Sequence, residues 1–315
     1  KEIAVFYDLE LLYNVKRLRA PGNRTPRIMN FFKRQILKIL HLFGYSLIGK
    51  KKKITHNDFD SIISFLIKEI EKEENPNVFD VGANTGQSID RFSRLFKESK
   101  IFSFEPTPNL FEKLKEKYQK KQSNIKLFNL AIDNISLKKD FYSYKYNKIN
   151  SLVPIDKNSK FLKSREIISG PDSNESFENV IKVETKTIDE IVDELKIDKI
   201  DFIKIDTQGN EDKVLEGCRN TLKVNKIKLI EVELILGFAY MNQLSFLSLE
   251  KILDPYGYKL IAIDKAHNII SASNYQINCI YVNSEIFRKI KKLHDKNFGI
   301  KDVMNKVEKS NPFSY

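Results

Sequence analysis

Apolar runs and helical repeats alternate along the chain from residue 77 onward. The apolar runs have the length of buried strands and cover residues 77–82, 100–106, 125–132, 200–206, 227–234, 258–264 and 277–283. Between most of them, apolar side chains recur at helical spacing, over residues 86–97, 108–121, 187–195, 211–223 and 244–254. This alternation predicts a three-layer α/β fold, in which helices cover both faces of a mostly parallel sheet.

One stretch fits neither pattern and interrupts the alternation at residues 141–183. It contains "FYSYKYNKINSLVP" and "IISGPDSNESFENV", which are polar, aromatic and marked by Gly and Pro. Long segments of this kind often cover active sites, so we interpret it as an inserted hairpin and loop over one side of a site.

The ends of the chain differ from its middle. Residues 1–28 are predicted to form an irregular extension, and residues 29–56 a basic amphipathic helical arm with apolar side chains at helical spacing. A second amphipathic helix over 58–72 opens the domain predicted for residues 57–290. Residues 291–315 are interpreted as a basic C-terminal tail.

The net charge of +12 comes almost entirely from the N-terminal segment. Residues 1–56 hold 13 Lys and Arg against 3 Asp and Glu, which leaves 41 against 39 for residues 57–315. Because the body is nearly neutral, we expect no nucleic-acid partner. Two interpretations of residues 29–53 stay open: they lie on an anionic membrane surface, or they pack on the domain through the same apolar side chains.

The composition of the chain limits which classes of protein it can belong to. The chain has no run of 18 or more apolar residues and no signal-peptide pattern. Its two cysteines, Cys218 and Cys279, lie far apart and are typical of a reducing compartment, and its four histidines are scattered without zinc-site spacing. We therefore expect a cytoplasmic protein, peripheral at the inner face of the membrane if the arm binds lipid, and we assign no metal ligands.

The segment "VFDVGANTGQS" at residues 78–88 combines a strand, a Gly-x-x-x-Gly turn and the start of a helix. Gly82 and Gly86 allow the backbone to come close to a ligand, and the helix N-terminus offers free N–H groups. The pattern departs from the dinucleotide motif Gly-x-Gly-x-x-Gly and lacks the Lys-Ser/Thr of a P-loop. Asp80, immediately before the turn, suits a cationic ligand group better than a phosphate.

The next strand ends in "FSFEP", which places Glu105 about 20 residues after the turn, where an acidic side chain accepts hydrogen bonds from ribose hydroxyls. Together the two elements describe a pocket for a ribose-bearing ligand that carries positive charge and no phosphate. S-adenosylmethionine fits that description better than NAD or ATP.

Charged residues stand where two other strands end. In "DFIKIDTQGNED", Lys204 and Asp206 share one face of a strand that otherwise has the composition of a core strand, and Glu211 follows. The neighbouring run "LIEVEL" carries Glu231 and Glu233 on one face. Ligands of open α/β sheets bind at the carboxyl ends of the strands, so we predict a site there.

The ordered motifs "VFDVGANTGQS", "FSFEPTPNLFEKL", "NLAI", "TIDEI" and "IDFIKIDTQGNEDKVLEG" resemble those of the FkbM-type S-adenosylmethionine-dependent methyltransferases. The resemblance implies the class I methyltransferase (Rossmann-like) fold, with a seven-stranded sheet whose last strand is antiparallel. It also implies O-methylation of a hydroxyl on a sugar, glycan or natural product. The cofactor-binding residues that it implies are Asp80, Gly82, Asn84, Gly86, Gln87, Glu105, Pro106, Ala131 and Asp206.

For catalysis the resemblance points to Asp206, Lys204, Glu211 and Glu231. Glu231 matches an acidic position of the family, whereas Glu233 matches none. Most relatives carry Glu at the position of Gln208, and because Gln has no charge we place no acid or base role on it. The acids could orient or deprotonate an acceptor hydroxyl, or hold a divalent cation whose ligands stay unassigned.

Alternatives stay open for the acceptor and for the activity. Tyr142, Tyr144, Tyr146 and residues 150–152 of the insertion could form the wall of a sugar site or ordinary cross-strand pairs. A nucleic-acid methyltransferase would need an Asn/Asp-Pro-Pro-Tyr-type motif where the chain has "DTQG". A non-catalytic protein that binds membrane or RNA through the basic arm is a further alternative, and a nicotinamide oxidoreductase is the weakest.

Overall fold

The computed structural model describes residues 57–119, 123–156, 177–235, 239–241, 244–264 and 276–298. The chain divides into two compact units, Lys1–Asp58 and Phe59–Tyr315, and the elements below belong to the second, apart from the first two residues of its first helix. The extension predicted for residues 1–28 and the arm predicted for residues 29–56 lie outside the described residues.

A seven-stranded sheet forms the centre of the second unit. Its strands are β1 (Asn77–Val81), β2 (Lys100–Phe104), β3 (Ile125–Phe128), β7 (Ile200–Ile205), β8 (Ile227–Ile235), β9 (Lys259–Ile263) and β10 (Gln276–Val282). They lie side by side in the order β3-β2-β1-β7-β8-β10-β9, and β10 runs antiparallel to both of its neighbours. The predicted fold, with a mostly parallel sheet and a reversed last strand, is confirmed.

Helices cover both faces of this sheet, as the apolar runs required. The described helices are α1 (Asn57–Phe65), α2 (Gln87–Leu95), α3 (Pro108–Leu114), α4 (Ile188–Glu194), α5 (Glu211–Glu216), α6 (Arg219–Lys223), α7 (Phe246–Leu253) and α8 (Ser284–Phe298). One core joins alternate strand side chains such as Val78 and Phe202 to helices α1, α2, α3 and α8. The other core joins Phe79 and Ile203 to helices α4 to α7.

The alternation of strand side chains decides where the site residues face. Asp80, Lys204 and Glu231 are in register on β1, β7 and β8, so they lie on the α2 side of the sheet. Asp206 and Glu233 follow two residues later on the same side. The charges that interrupt the apolar runs therefore lie together near the carboxyl ends of two central strands.

The interruption in the alternation is a small second sheet. Strand β5 (Lys138–Tyr144) pairs antiparallel with β6 (Phe177–Lys186), and β6 pairs in parallel with β4 (Ala131–Ile132). The described residues 138–156 and 177–186 are called the insertion from here on. A 3-10 turn, Asn147–Ile149, follows β5, while residues 157–176 lie outside the described residues.

Several predicted elements differ in extent. The run 125–132 forms two strands in different sheets, and the helix predicted over 211–223 breaks between α5 and α6 at Gly217 and Cys218. Helices α1 and α3 each continue as a π-helical turn, over Leu66–Ile70 and Lys115–Gln119. Helix α8 runs across residue 290, so the basic tail that we placed from residue 291 begins inside a helix.

Candidate active site

A cleft of about 380 Å³ opens at the carboxyl ends of β1, β2, β7 and β8, beneath the insertion. This volume lies in the range of small-molecule sites. Seven of the residues predicted for the cofactor line the cleft: Gly82, Asn84, Gln87, Glu105, Pro106, Ala131 and Asp206. Residues to which the sequence assigned no role line it as well, among them Ser88, Lys148, Thr207, Gln208, Glu233 and Gln276.

The floor of one half of the cleft is the turn between β1 and α2. Gly82 has φ +93°, and a Cβ on it would lie 2.0 Å from the Asp206 carbonyl oxygen. The N–H groups of Gly82 and Ala83 both donate to the Phe104 carbonyl, at 3.1 and 3.0 Å. Only glycine permits this close approach, so the turn holds the ends of β1, β2 and β7 together.

Glu105 lies at the end of β2 and lines the cleft while only 4% exposed. The Asn84 N–H donates to its Oε2 at 2.8 Å and the Thr107 N–H to its Oε1 at 2.8 Å. Burial raises the pKa of this carboxyl to about 7, against the lowering effect of these donors. Each oxygen keeps a lone pair for a further donor, which is what a pair of ribose hydroxyls would supply.

The cleft therefore fits the adenosine part of S-adenosylmethionine. Beside Glu105, the buried Oδ1 of Asn84 has no hydrogen-bond partner among the described residues and lies in a side chain that lines the cleft. A ligand N–H or O–H group would satisfy it. Glu105, Asn84 and the glycine turn are the residues that would hold the cofactor.

Two predicted cofactor residues do not line the cleft. Asp80 is fully buried below the turn, where Ser103 donates to its Oδ2 at 3.0 Å and burial, opposed by the Lys204 charge, raises its pKa to about 6. Gly86 caps helix α2 with φ +87°, and the Tyr118 hydroxyl donates to its carbonyl at 2.9 Å. Both residues lie behind the glycine turn, because strand β1 and helix α2 direct them away from the cleft.

The opposite half of the cleft holds four polar side chains that we call the carboxyl cluster: Lys204, Asp206, Gln208 and Glu233. Lys204 Nζ lies 2.6 Å from Asp206 Oδ2. Gln208 Nε2 donates to Asp206 Oδ1 at 2.9 Å and to Glu233 Oε2 at 2.6 Å. Both carboxyl groups therefore accept from the same amide nitrogen.

The charges within the carboxyl cluster are unequal. Burial works to raise the pKa of Asp206, but the adjacent Lys204 ammonium holds it below the ordinary value. Burial and the charge of Asp206 raise the pKa of Glu233 well above its usual range. Asp206 is therefore the ionised member of the pair, and Glu233 is the member that holds a proton.

Two predicted catalytic residues, Glu211 and Glu231, are placed outside the cleft. Glu211 closes the turn after β7, where its carboxylate accepts from the N–H groups of Thr207 and Gly209 at 3.0 to 3.1 Å. Glu231 accepts from Arg91 Nη1 and Nη2 at 2.8 and 3.0 Å. Both carboxylates are used within the fold, which corrects the acidic rim that the sequence suggested.

The insertion covers the cleft and is fastened to both of its halves. Asn84 Nδ2 donates to the Asn147 carbonyl at 2.9 Å, and Ser151 Oγ to the Thr207 carbonyl at 3.1 Å. Tyr240 donates to the Ile149 carbonyl at 3.1 Å. Of the three predicted wall tyrosines, Tyr146 lines the cleft, whereas Tyr142 and Tyr144 pack with the side chains of a small core beneath the insertion.

Across the described ranges, no three His, Cys, Asp or Glu side chains are grouped so that they could hold a metal ion. No helix in the part of the chain that the structure describes is both long enough and apolar enough to cross a membrane.

A comparison with protein-family models gives one match that spans more than half of the chain. The model is described as the methyltransferase FkbM domain, and it matches residues 80–260, from Asp80 below the glycine turn to β9. The chain belongs to the FkbM methyltransferase family. It is an S-adenosylmethionine-dependent methyltransferase, as the motifs and the cleft predicted.

Two curated relatives of this FkbM methyltransferase are similar at low identity. One is a 2-O-methyltransferase, NoeI, of Sinorhizobium fredii, which is 26% identical over 191 residues that cover 61% of this chain and 76% of the relative. The other is a hexuronic acid methyltransferase, AglP, of Haloferax volcanii, which is 22% identical over 171 residues that cover 54% and 61%.

Among solved structures, this FkbM methyltransferase is similar to magnesium protoporphyrin IX methyltransferase (ChlM) from Synechocystis PCC 6803 with bound SAM. The TM-score is 0.39 at 9% identity, and the match covers 84% of this chain and 100% of that chain. A score this low adds nothing to the assignment, which depends on the family model and on the cleft.

Sequence reasoning missed Glu233 and Gln208 in this FkbM methyltransferase. Glu233 was noticed on the same strand face as Glu231 but matched no motif. Gln208 was set aside because it lacks a charge. The alternation of side chains along a strand is the signal that identifies Glu233. Glu233 lies two residues beyond Glu231 on a strand next to β7, so it lies on the same face and nearer the carboxyl end of the sheet.

Proposed function

We propose that this FkbM methyltransferase transfers a methyl group from S-adenosylmethionine to a hydroxyl of a sugar, within a glycan or a glycosylated natural product. The observation that carries the proposal is the division of the cleft. One half carries Glu105 and the glycine turn, the other carries the carboxyl cluster, and the insertion covers both. The names of the two relatives, a 2-O-methyltransferase and a hexuronic acid methyltransferase, support a sugar acceptor.

The cofactor supplies, when bound, a methyl group on a positively charged sulfur. Glu105 binds the ribose, and the Asn84 side chain satisfies its buried oxygen on the same ligand. The hydrogen bonds that Asn84 and Thr107 make to Glu105 fix this carboxylate before anything binds, so little conformational freedom is lost on binding.

The acceptor half orients the hydroxyl and removes its proton. Methyl transfer is an in-line displacement, so alignment of the acceptor oxygen supplies much of the catalysis. Tyr146, Lys148 and Asn150 of the insertion line the cleft and are the side chains available to a sugar. The carboxyl cluster supplies a proton acceptor beside them, which a weakly acidic sugar hydroxyl needs.

The acceptor can be identified by comparing cells with and without the gene. Mass spectrometry of their glycans and glycolipids should show acceptors that lack the mass of one CH₂ group when the gene is absent. Purified protein incubated with S-adenosylmethionine and the extract from the deletion cells should restore that mass. If the methyl group instead appears in RNA or DNA, the sugar proposal is wrong.

Cofactor affinity should depend on pH through Glu105, whose pKa burial raises to about 7. Ribose hydroxyls donate to the ionised carboxylate, so binding favours the deprotonated form and affinity should rise as pH increases from 6 to 8. Glu105→Gln removes a charge-assisted contact of about 1.5–3 kcal/mol, and should weaken binding at least about 10-fold and remove the pH dependence. Calorimetric titration measures both effects.

The matched control for Glu105→Gln is Glu112→Gln, which changes an exposed glutamate paired with Lys115 on the outer surface of α3. It should leave affinity and its pH dependence as they are. Equal affinity in wild type and Glu105→Gln at pH 8 would remove Glu105 from the cofactor site.

Membrane contact by residues 29–53 stays a prediction from charge. A basic helix on an anionic surface gains roughly 1 kcal/mol per nearby cation. Such a location would suit an enzyme whose sugar acceptor is carried on a lipid.

A further inference from the structure

We propose that Glu233, and not Asp206, is the side chain that accepts the proton of the acceptor hydroxyl, while Lys204 and Gln208 hold Asp206 as a fixed negative charge beside it. This inference depends on the proposed O-methyl transfer. It assigns a catalytic role to a residue that no motif identified, and it replaces the role that the sequence gave to Asp206.

The contacts of the two carboxyl groups differ in kind. Both oxygens of Asp206 are taken by strong donors, Lys204 Nζ at 2.6 Å and Gln208 Nε2 at 2.9 Å. Glu233 accepts from the same amide nitrogen at 2.6 Å, and among the described residues no lysine or arginine forms an ion pair with it. A carboxylate bound to a cation is a weak base, whereas one without a cation is a stronger base.

The location of the proton follows from the same asymmetry. Asp206 and Glu233 accept from the same amide nitrogen, and two carboxyl groups this close do not both ionise until the pH exceeds the raised pKa of one of them. The nearby Lys204 stabilises the charge on Asp206, and the proton therefore lies on Glu233. The charge of Glu211 on α5 raises the pKa of Glu233 further. Glu231, two residues earlier on the same strand as Glu233, is paired with Arg91.

The position of Glu233 suits proton transfer. It lines the cleft and is half-buried, so an acceptor hydroxyl can reach it while bulk water is mostly displaced. Its strand β8 is central, and its neighbours on β7 and β10 fix the backbone. The amide of Gln208 holds the carboxyl group by Oε2, which leaves Oε1 for the acceptor.

Glu233 first loses its proton to solvent and becomes a carboxylate. The acceptor O–H bond then breaks and its proton goes to Glu233, while the acceptor oxygen forms its bond to the methyl carbon. The bond from that carbon to sulfur breaks at the same time, and its electron pair remains on sulfur. Glu233 releases the proton through the cleft before the next turnover.

The location of the proton can be tested without any acceptor. Infrared difference spectra of the purified full chain, recorded as pH is raised, should show a protonated carboxyl band that disappears well above the pH at which free glutamate ionises. Glu233→Gln should lose one component of this band and keep those of Asp80, Glu105 and Glu211, whose pKa values burial raises to about 6, about 7 and about 7. Asp206→Asn should keep the Glu233 band but shift its loss to lower pH by about one unit or more, because the neighbouring negative charge is gone. A band that Asp206→Asn removes and Glu233→Gln keeps would overturn the assignment.

The catalytic role is tested with a defined probe, a glycan extract from cells that lack the gene, and with labelled S-adenosylmethionine. Wild-type transfer should increase with pH through the value found by infrared titration. Glu233→Gln should lose about 100-fold or more of this rate together with the pH dependence, at unchanged cofactor affinity. Glu233→Asp should recover part of the rate. Asp206→Asn should keep a pH-dependent rate whose midpoint has moved to lower pH.

The two proposals fail in different ways. If the wild type methylates no component of the extract, O-methyl transfer to a sugar is wrong, and this assignment falls with it. If the wild type is active and Glu233→Gln keeps the rate and the pH dependence, the function holds and the role of Glu233 is wrong. Thermal unfolding and calorimetric cofactor binding of each variant show whether a lost rate reflects a lost fold.

Discussion

At the scale of single residues, the glycine turn shows how one missing side chain sets the geometry of a site. Gly82 brings the backbone so near to the end of β7 that the Asp206 carbonyl occupies the space of a Cβ, which would lie 2.0 Å away. The same close approach places Glu105 and Asp206 at the edges of one cleft. Single residues also set the charges within the carboxyl cluster. Because Lys204 pairs with Asp206, Glu233 is the stronger base of the two carboxyl groups.

Gly82→Ala should destabilise the protein more than Gly257→Ala does. Both glycines have positive φ, +93° and +78°, so either alanine costs about 1–2 kcal/mol in backbone strain. A Cβ at Gly257 would meet nothing nearer than Ser284 Cβ at 3.5 Å, whereas one at Gly82 must displace backbone. We expect an additional loss of about 1–3 kcal/mol for Gly82→Ala, measured by urea unfolding. Equal losses for the two variants would show that the close approach is not tight.

At the scale of elements, the insertion is held over the cleft by a few side-chain to backbone hydrogen bonds. The 3-10 turn Asn147–Ile149 contacts the glycine turn through Asn84, and Ser151 contacts the turn after β7. These bonds join the cover to both halves of the site.

Tyr240→Phe should loosen the cover without unfolding the domain. Its hydroxyl donates to the Ile149 carbonyl at 3.1 Å, and the loss of this bond leaves a buried acceptor unpaired. We expect the protected amides of residues 149–151 to exchange about 5-fold faster, which corresponds to about 1 kcal/mol. Hydrogen exchange followed by mass spectrometry measures this.

Tyr258→Phe is the matched control. Its buried hydroxyl donates to the Ile227 carbonyl at 2.7 Å, at the start of β8. It should lower global stability without a selective effect on residues 149–151. Slow exchange of those amides in Tyr240→Phe would mean that the cover is held by its other contacts.

At the scale of the whole molecule, a buried ion network joins three elements on the α2 side of the sheet. Arg91 on α2 contacts Glu231 on β8 through two nitrogens and Asp60 on α1 through Nε at 2.6 Å. Glu231 is 2% exposed, and to bury its carboxylate without this partner would be costly. The network keeps α2, whose N-terminus forms the edge of the cofactor site, fixed against the central sheet.

Arg91→Ala should therefore be strongly destabilising. Removing one member of a buried pair leaves the other charge unpaired and costs about 3–5 kcal/mol. Lys117→Ala removes an ion pair between the π-helical turn after α3 and Asp90 on α2, in which the two side chains are 46% and 45% exposed, and should cost about 1 kcal/mol or less. Urea unfolding of the two variants measures the difference. Similar small losses would show that Glu231 is not held by Arg91.

The sequence by itself determined the class of fold and predicted residues that line one half of the cleft. Alternating apolar runs predicted the strands because each fully buried parallel strand needs apolar side chains on both faces, and that requirement is local. The glycine turn and Glu105 were identified because short spacings along one continuous stretch, residues 77–105, place them at the ends of two neighbouring strands. Family motifs added the methyltransferase activity, which the family model confirms.

Only the tertiary structure decided the roles of the acidic residues. Residue type alone does not distinguish the four carboxylates Asp206, Glu211, Glu231 and Glu233. The role of each depends on the partner, such as Lys204, that it meets across the strands. Arg91 is 140 residues from Glu231 in the chain and yet pairs with it. The backbone of the turn after β7 donates hydrogen bonds to Glu211. Among the described residues, no lysine or arginine forms an ion pair with Glu233. Such pairings arise from strand register and helix packing, which bring distant residues together, and no local pattern in the sequence encodes them.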